Sequence, residues 1–314
     1  RRMKKWSADE FGLVVVDEAH HAPAASYARV LAKFSKAHVL GVTATADRLD
    51  GIPLRKVFES CAYRYDLRVA IAEGWLVKLR ARRIVVDRVD LSKVRETVGD
   101  LNAGDLSEIM VRAEALHGVA KPLVDLAGKR KTIVYASSVS HAYALAAVIN
   151  QYKPGSAKAI DGSADKTERA TTIEAFRRGD FQFLVNCSLY TEGFDEPSVE
   201  CVAIVRPTMS RLLYTQMVGR SLRPWDEGGK RDALVLDFTG NSGKHRLIGP
   251  VDVLAGEEVD AKTKEATDRD LEEEVDVSEV LDAVAARLKA SRVMYTTKSV
   301  DLTWTRASQS PACA

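Results

Sequence analysis

The segment Phe11-Gly12-Leu13-Val14-Val15-Val16-Asp17-Glu18-Ala19-His20 is an apolar run that stops on two adjacent carboxylates and a histidine. Four aliphatic residues in succession, Leu13 to Val16, lack the alternation of a half-exposed strand and read as a strand covered on both faces. Open parallel sheets form their ligand crevice at the C-terminal ends of the strands, so these acids arrive where a ligand would sit. Two carboxylates leaving a rigid strand suit nucleotide hydrolysis. Asp17, with Glu18 beside it, can hold a magnesium ion, usually through water, and Glu18 can polarise the attacking water. An acidic turn after a core strand would give the same residues, and the segment alone leaves both readings open.

Similar runs recur at Val39 to Val42, Ile84 to Val86, Thr132 to Tyr135, Phe183 to Val185, Val202 to Val205 and Ala233 to Leu236. Helical spacing of apolar residues lies between many of them, at Ala142 to Ile149, Glu168 to Phe176 and Leu212 to Leu222. This alternation predicts the α/β class with parallel sheets. Around Gly74 to Arg83 a Gly-Trp pair and a basic run (Lys78, Arg80, Arg82, Arg83) mark a junction, which gives a first domain at 1–80 and a second at 81–250. Residues 251–275 are acidic and poor in large apolar groups, as a solvated linker would be, and Val277 to Leu288 has the spacing of one amphipathic helix. Residues 251–314 are therefore expected to form an acidic and helical tail.

At 314 residues, 46% hydrophobic and 29% charged, the chain falls in the ordinary globular class and is long enough for two cores. No apolar run approaches the roughly 18 residues of a membrane span, and no apolar stretch follows the basic residues at the start as a secretory signal would. A cytoplasmic location without a membrane partner is expected. Cys61, Cys187, Cys201 and Cys313 are scattered, which argues against a disulfide framework or a zinc site. The net charge of +2 conceals an asymmetry: residues 252–282 hold 13 Asp/Glu against three Lys/Arg, leaving 43 basic and 31 acidic residues elsewhere. A basic body suits a polyanionic partner, and a solvated surface of mixed charge explains it as readily.

Asp17-Glu18-Ala19-His20 resembles motif II of the superfamily 2 DExH-box helicases and translocases, of bacterial or phage type, and later segments resemble that family's other motifs in order. Thr43-Ala44-Thr45 is similar to motif III, whose hydroxyls couple the nucleotide site to the second domain. Ile133 to Ala142 is similar to motif IV, where Ser137 and Ser138 would meet a phosphate backbone; taken alone, the serines read as simple helix caps. Asp161-Gly162-Ser163, followed by Arg169, matches a segment placed beside the nucleic-acid track. Thr191-Glu192-Gly193-Phe194-Asp195 resembles motif V, with Thr191 toward nucleic acid and Gly193 and Asp195 toward nucleotide. Gln216 to Pro224 resembles motif VI. There Arg220 and Arg223, three apart, would share a helical face and reach across a cleft to a triphosphate.

The resemblance implies two RecA-like parallel-sheet domains, ATP and Mg2+ as cofactors, and nucleic acid as partner, DNA favoured over RNA. It implies catalytic roles for Asp17, Glu18, His20, Gln216, Arg220 and Arg223, and nucleotide contacts for Thr43, Thr45, Gly193 and Asp195. Nucleic-acid contacts would fall to Ser137, Ser138, Gly162, Ser163 and Thr191. The implied activity is that of an ATP-dependent helicase. A double-strand DNA translocase, such as a restriction-system motor subunit, shares every one of these motifs, and a non-catalytic nucleic-acid-binding protein is the rival from another class. The phosphate-cradling loop GxxxxGK[ST] is not found in the 314 residues. A first RecA-like domain that is incomplete in this sequence is therefore expected, with an open parallel edge beside Leu13 to Val16 and little ATP hydrolysis by these residues alone.

Overall fold

A computed structural model of the chain describes residues 5–43, 54–97, 99–187, 195–243, 245–256 and 259–294. Near the start, β1 (Leu13–Val16) runs into a short 3-10 turn at Ala19–His21, and α1 (Ala25–Lys33) returns the chain to β2 (His38–Gly41). The two strands are parallel, with Val14 opposite Val39 and Val16 opposite Gly41. Helix α1 covers one face, where Val16, Ala19 and Ala22 are buried and Tyr27 and Leu31 pack against them. Gly41 has to be glycine, because a Cβ there would lie 2.4 Å from the Phe58 ring and 2.9 Å from the Ala19 methyl.

The other face of this pair is open: Leu13 is 54% exposed, Val15 57%, Leu40 46% and Val42 52%. The sequence reads Leu13 to Val16 as covered on both sides, and the structure covers one. Among the described residues β1 pairs only with β2, so its unbroken apolar run has a partner for every second side chain.

Beyond α2 (Leu67–Ala72) the chain builds a larger sheet. Strand β3 (Lys78–Asp90) is followed by a hairpin, β4 (Glu96–Thr97) and β5 (Asp100–Leu101), then by α3 (Ala103–Met110) and α4 (Ala113–Ala127). The alternation continues through β6 (Thr132–Ala136), α5 (Val139–Tyr152), β7 (Ala157–Ile160), α6 (Lys166–Arg178), β8 (Phe183–Asn186), β9 (Cys201–Val205), α7 (Arg211–Gly219) and β10 (Asp232–Asn241). Last come α8 (Pro250–Ala255), α9 (Ala261–Asp270), β11 (Val275–Asp276) and α10 (Val277–Met294). The sheet order is β11-β3-β10-β9-β6-β8-β7, parallel throughout except for β11.

Alternate residues of each strand feed two cores. Val134, Ala136, Phe183 and Val185 face α4 and α5, where Leu123, Leu145 and Ile149 are buried. Ile133, Tyr135, Leu184 and Val202 face the opposite layer of Phe176, Tyr214, Met217 and Leu254. Each large aliphatic or aromatic side chain so covered contributes about 1.5–3 kcal/mol. Chain order reverses about β6, which has β8 on one side and β9 on the other, so the crevice of an open α/β sheet falls at its C-terminal end.

The acidic stretch is not a solvated linker. Helix α8 buries Val251, Val253 and Leu254, and Leu271 and Val277 are fully covered in the same core. Its acids meet the basic strand: Glu274 lies 3.0 Å from Arg80 and 3.6 Å from Arg130, Asp276 lies 3.4 Å from Lys78, and Asp268 pairs with Arg83. On α10, Asp282 pairs with Arg68 of α2. The run Lys78 to Arg83, read from sequence as a junction, forms the first half of β3. Composition could not reveal this, because a charged stretch looks the same whether water or the opposite charge of the same chain satisfies it.

Candidate functional site

At the end of β1 the backbone turns sharply. Glu18 takes a left-handed conformation (φ 47°, ψ 52°), which costs a residue with a Cβ about 1 kcal/mol or more. The Asp17 carboxylate accepts from the Glu18 amide at 2.9 Å, and the Ala19 amide donates to the Val42 carbonyl at 2.9 Å, fixing the turn to the end of β2. Asp17 is thereby left exposed and Glu18 half-buried, while His20 is only 1% exposed. The His20 Nδ1 lies 2.9 Å from the Thr43 hydroxyl and 3.3 Å from a Glu18 carboxylate oxygen. Four residues nominated from sequence thus converge at adjoining strand ends. Asp17 and Glu18 offer hard oxygen donors, the type Mg2+ takes, but among the described residues no group of three or more His, Cys, Asp or Glu comes together to hold a metal. Thr45 lies outside the described residues.

In the larger unit, Ser210 caps α7 by accepting from the Leu213 amide at 3.2 Å. Gln216 is half-buried on that helix and Arg220 stands at its C-terminal cap, close enough to Tyr135 for its charge to act on the phenol. The expected shared helical face for Arg220 and Arg223 does not exist, because α7 ends at Gly219 and Arg223 lies on the turn beyond it. Glycine is a poor helix former and Pro224 disfavours helical geometry in the residue before it. Arg223 instead forms an ion pair with Asp195. Thr191 and Gly193 lie outside the described residues.

Between β6 and α5, Ser138 caps the helix, accepting from the His141 amide at 3.1 Å and from the Ser107 hydroxyl of α3 at 2.6 Å. Ser137, nominated as a nucleic-acid contact, turns inward. It is 3% exposed, and its amide and hydroxyl both approach His141 Nδ1, at 3.1 and 2.9 Å. A serine that satisfies a buried imidazole cannot also present its hydroxyl at the surface. Gly162 and Ser163 are exposed at the end of β7, held by a 2.6 Å bond from the Ser163 amide to the Asp161 carboxylate.

Residues 114–224 match the helicase conserved C-terminal domain family, and residues 1–48 match the family described as type III restriction enzyme, res subunit. Both matched segments are thus similar to superfamily 2 helicases and translocases. It is 34% identical over 246 residues to irc3 of Schizosaccharomyces pombe, named as a mitochondrial ATP-dependent helicase, covering 76% of this chain and 39% of that protein. It is 27% identical over 233 residues to the DNA 3'-5' helicase XPB of Mycobacterium tuberculosis, covering 73% of this chain and 41% of that one. The chain thus spans about two fifths of the length of those relatives. A solved fragment described as an HsdR subunit of a type I restriction enzyme from Vibrio vulnificus YJ016 shares the fold, with a TM-score of 0.61 at 22% identity over 77% of this chain and 46% of that one. The seven-stranded sheet accordingly has a RecA-like fold, and its strands β6, β8 and β9 lie within the segment that matches the helicase C-terminal family.

The resemblance read from sequence includes Leu236-Asp237-Phe238-Thr239-Gly240-Asn241 but gives Asp237 no role. Asp237 on β10 is buried directly across the ladder from Arg83 on β3, next to Tyr214 of α7 and Lys264 of α9. A signal was present in the sequence: charged residues inside otherwise apolar strands, Arg83 before Ile84-Val85-Val86 and Asp237 after Leu234-Val235-Leu236. Such groups are rarely buried unless paired.

Proposed function

We propose that this chain carries the nucleotide-hydrolysing and strand-gripping parts of an ATP-dependent DNA helicase motor of the cytoplasm. The observation that carries the reading is the turn after β1, where Asp17 and Glu18 leave the strand end side by side and His20 lies between Glu18 and Thr43. Asp17 and Glu18 would hold Mg2+, which when bound supplies charge neutralisation at the phosphates. Glu18 orients and polarises the attacking water. Its left-handed backbone aims the carboxylate, and buried His20 keeps it there. Gln216 and Arg220 on the end of α7, with Arg223 beyond it, face the triphosphate from the second domain and neutralise charge that develops during transfer.

The grip on nucleic acid falls to the crevice end of the larger sheet, through the capped start of α5 and the exposed Gly162-Ser163 turn. Such contacts go mainly to phosphates and carry little sequence preference. A double-strand translocase is the second reading. It is favoured by the match of residues 1–48 to a restriction-enzyme subunit family.

The test is ATP hydrolysis by the full reading frame that contains this chain, with single-stranded or duplex DNA as activator. Arg220→Ala and Glu18→Gln are each expected to lower turnover about a thousandfold while nucleotide binding persists. Turnover within about threefold of the unmodified protein in both variants would refute the assignment. Activation by duplex without strand release would select the translocase.

A further inference from the structure

Tyr214 lies on α7, two residues before Gln216 and six before Arg220 at the C-terminal cap, and it is fully buried. Its hydroxyl lies against the Asp237 carboxyl without closing a hydrogen bond of standard geometry. Two neighbours hold Asp237 in turn. Arg83, across the ladder, also pairs with Asp268 of α9, and its amide donates to the Leu271 carbonyl at 2.7 Å. Lys264 of α9 acts on Asp237 and bonds at 3.0 Å to Asp252 of α8. Asp252 is fully buried and accepts from the Gly249 and Val259 amides at 2.9 and 3.1 Å. A polar network therefore leads from Asp237, beside the Tyr214 side chain of α7, through Arg83 and Lys264 into the acid-rich segment 250–284.

The apolar contacts follow the same route. Val251, Val253 and Leu254 of α8 share a core with Met217, Val218 and Leu222 on one side and with Leu67 and Ile71 of α2 on the other. The Val77 amide, just after α2, donates to the Leu222 carbonyl at 2.9 Å.

We propose that Asp237 and Tyr214 are positioning residues for the arginine helix, and that through them the docked segment 250–284 sets the stance of α7 and of the connector α2. Substrate contact is not part of this role. Asp237 faces the Tyr214 hydroxyl, the core shared with α8 seats the Tyr214 ring, this seat fixes the rotation of α7, and α7 carries Gln216 and Arg220. The burial that pushes the Asp237 carboxyl up to about 6 is consistent with a group kept for its neighbours rather than for solvent. The consequence for catalysis rests on reading α7 as the arginine helix of a motor; the tether itself does not.

The experiment follows amide hydrogen exchange in the unmodified chain, Tyr214→Phe and Asp237→Asn, without nucleotide or nucleic acid, so failure of the motor reading leaves its result intact. Residues 211–223 are expected to exchange about fivefold faster or more in each variant while 139–152, on the opposite face, keep their rates. The double variant should be no faster than the faster single, because both remove one coupling. An unchanged 211–223 overturns the proposal. So does an equal rise in 139–152, which is the signature of general loosening. A second arm neutralises acids remote from Tyr214, Asp268→Asn with Glu274→Gln, and should also raise exchange at 211–223. A response confined to 259–284 would show that the segment does not reach α7, and the proposal would fall.

Discussion

Two buried residues of the larger sheet make opposite demands on pH. Burial pushes the His141 imidazole down to about 4, and burial pushes the Asp237 carboxyl up to about 6. Unfolded, His141 takes a proton below about pH 6.5, whereas folded it resists until about pH 4, so its contribution is present above that range and is lost as pH falls through it. Asp237 runs the other way. The folded state keeps its proton while the unfolded chain releases it near pH 4, so stability is lost as pH rises from about 4 to about 6. Arg83 and Lys264 moderate that loss, Asp268 adds to it, and the Tyr214 hydroxyl faces the same carboxyl. Each effect taken alone is on the order of 3 kcal/mol, and between about pH 4 and 6 they oppose one another. Denaturant unfolding at several pH values should therefore give a shallow profile for the unmodified chain. Asp237→Asn should make stability climb with pH over this range, and His141→Gln should make it decline. Slopes of the same sign in both variants would show that these residues do not control the profile. At the other strand end, Thr43→Val removes the partner of His20 Nδ1 and is expected to lower the stability of residues 11–43 by about 1 kcal/mol, read from local exchange.

For single elements, caps and breakers decide where structure starts and stops. Ser138 accepts the His141 amide, so Ser138→Ala should cost about 1 kcal/mol and Ser138→Gly only a few tenths, measured by thermal unfolding. Equal losses would mean that packing rather than the cap sets the start of α5. Elements with an uninterrupted pattern were legible in the sequence: β6, β8, β9, α5 and α6 fall on the runs that alternation predicts. Helix α4 was not, because Gly118 and Pro122 break its pattern. Gly118 lets the helix approach β3 where a Cβ would lie 2.7 Å from Val86, a tertiary requirement that spacing cannot show. Strand β7, Ala-Lys-Ala-Ile, has too little apolar content to stand out, and β11 exists only through its pairing with β3. For the candidate site, Asp17, Glu18, His20 and Thr43 are nominated from their order in the sequence, and the structure brings them to adjoining strand ends. The inward turn of Ser137 depends on His141, four residues on in the first turn of α5, a local pairing that the motif resemblance does not weigh.

Across the whole molecule, the two sheets differ in how much surrounds them. The seven-stranded sheet is covered on both faces, whereas β1 and β2 share one helix and present Leu13, Val15, Leu40 and Val42 to the outside. Two strands with one covered face are marginal on their own, so residues 12–42 should open by local fluctuation long before the larger unit unfolds. Amide exchange at 13–16 and 38–41 is expected to be about a hundredfold faster or more than at 132–136 and 201–205. Substitution should show the same inequality. Leu13→Thr with Val15→Thr, on the open face, is expected to shift the unfolding midpoint of this chain by less than about 0.5 kcal/mol equivalent, whereas Val134→Thr, at the centre of β6, should cost about 2 kcal/mol or more. If the Leu13 and Val15 pair proved as costly as Val134, or β1 exchanged as slowly as β6, then the exposed face would be covered in solution. The small unit would then have a stabilising partner surface of its own.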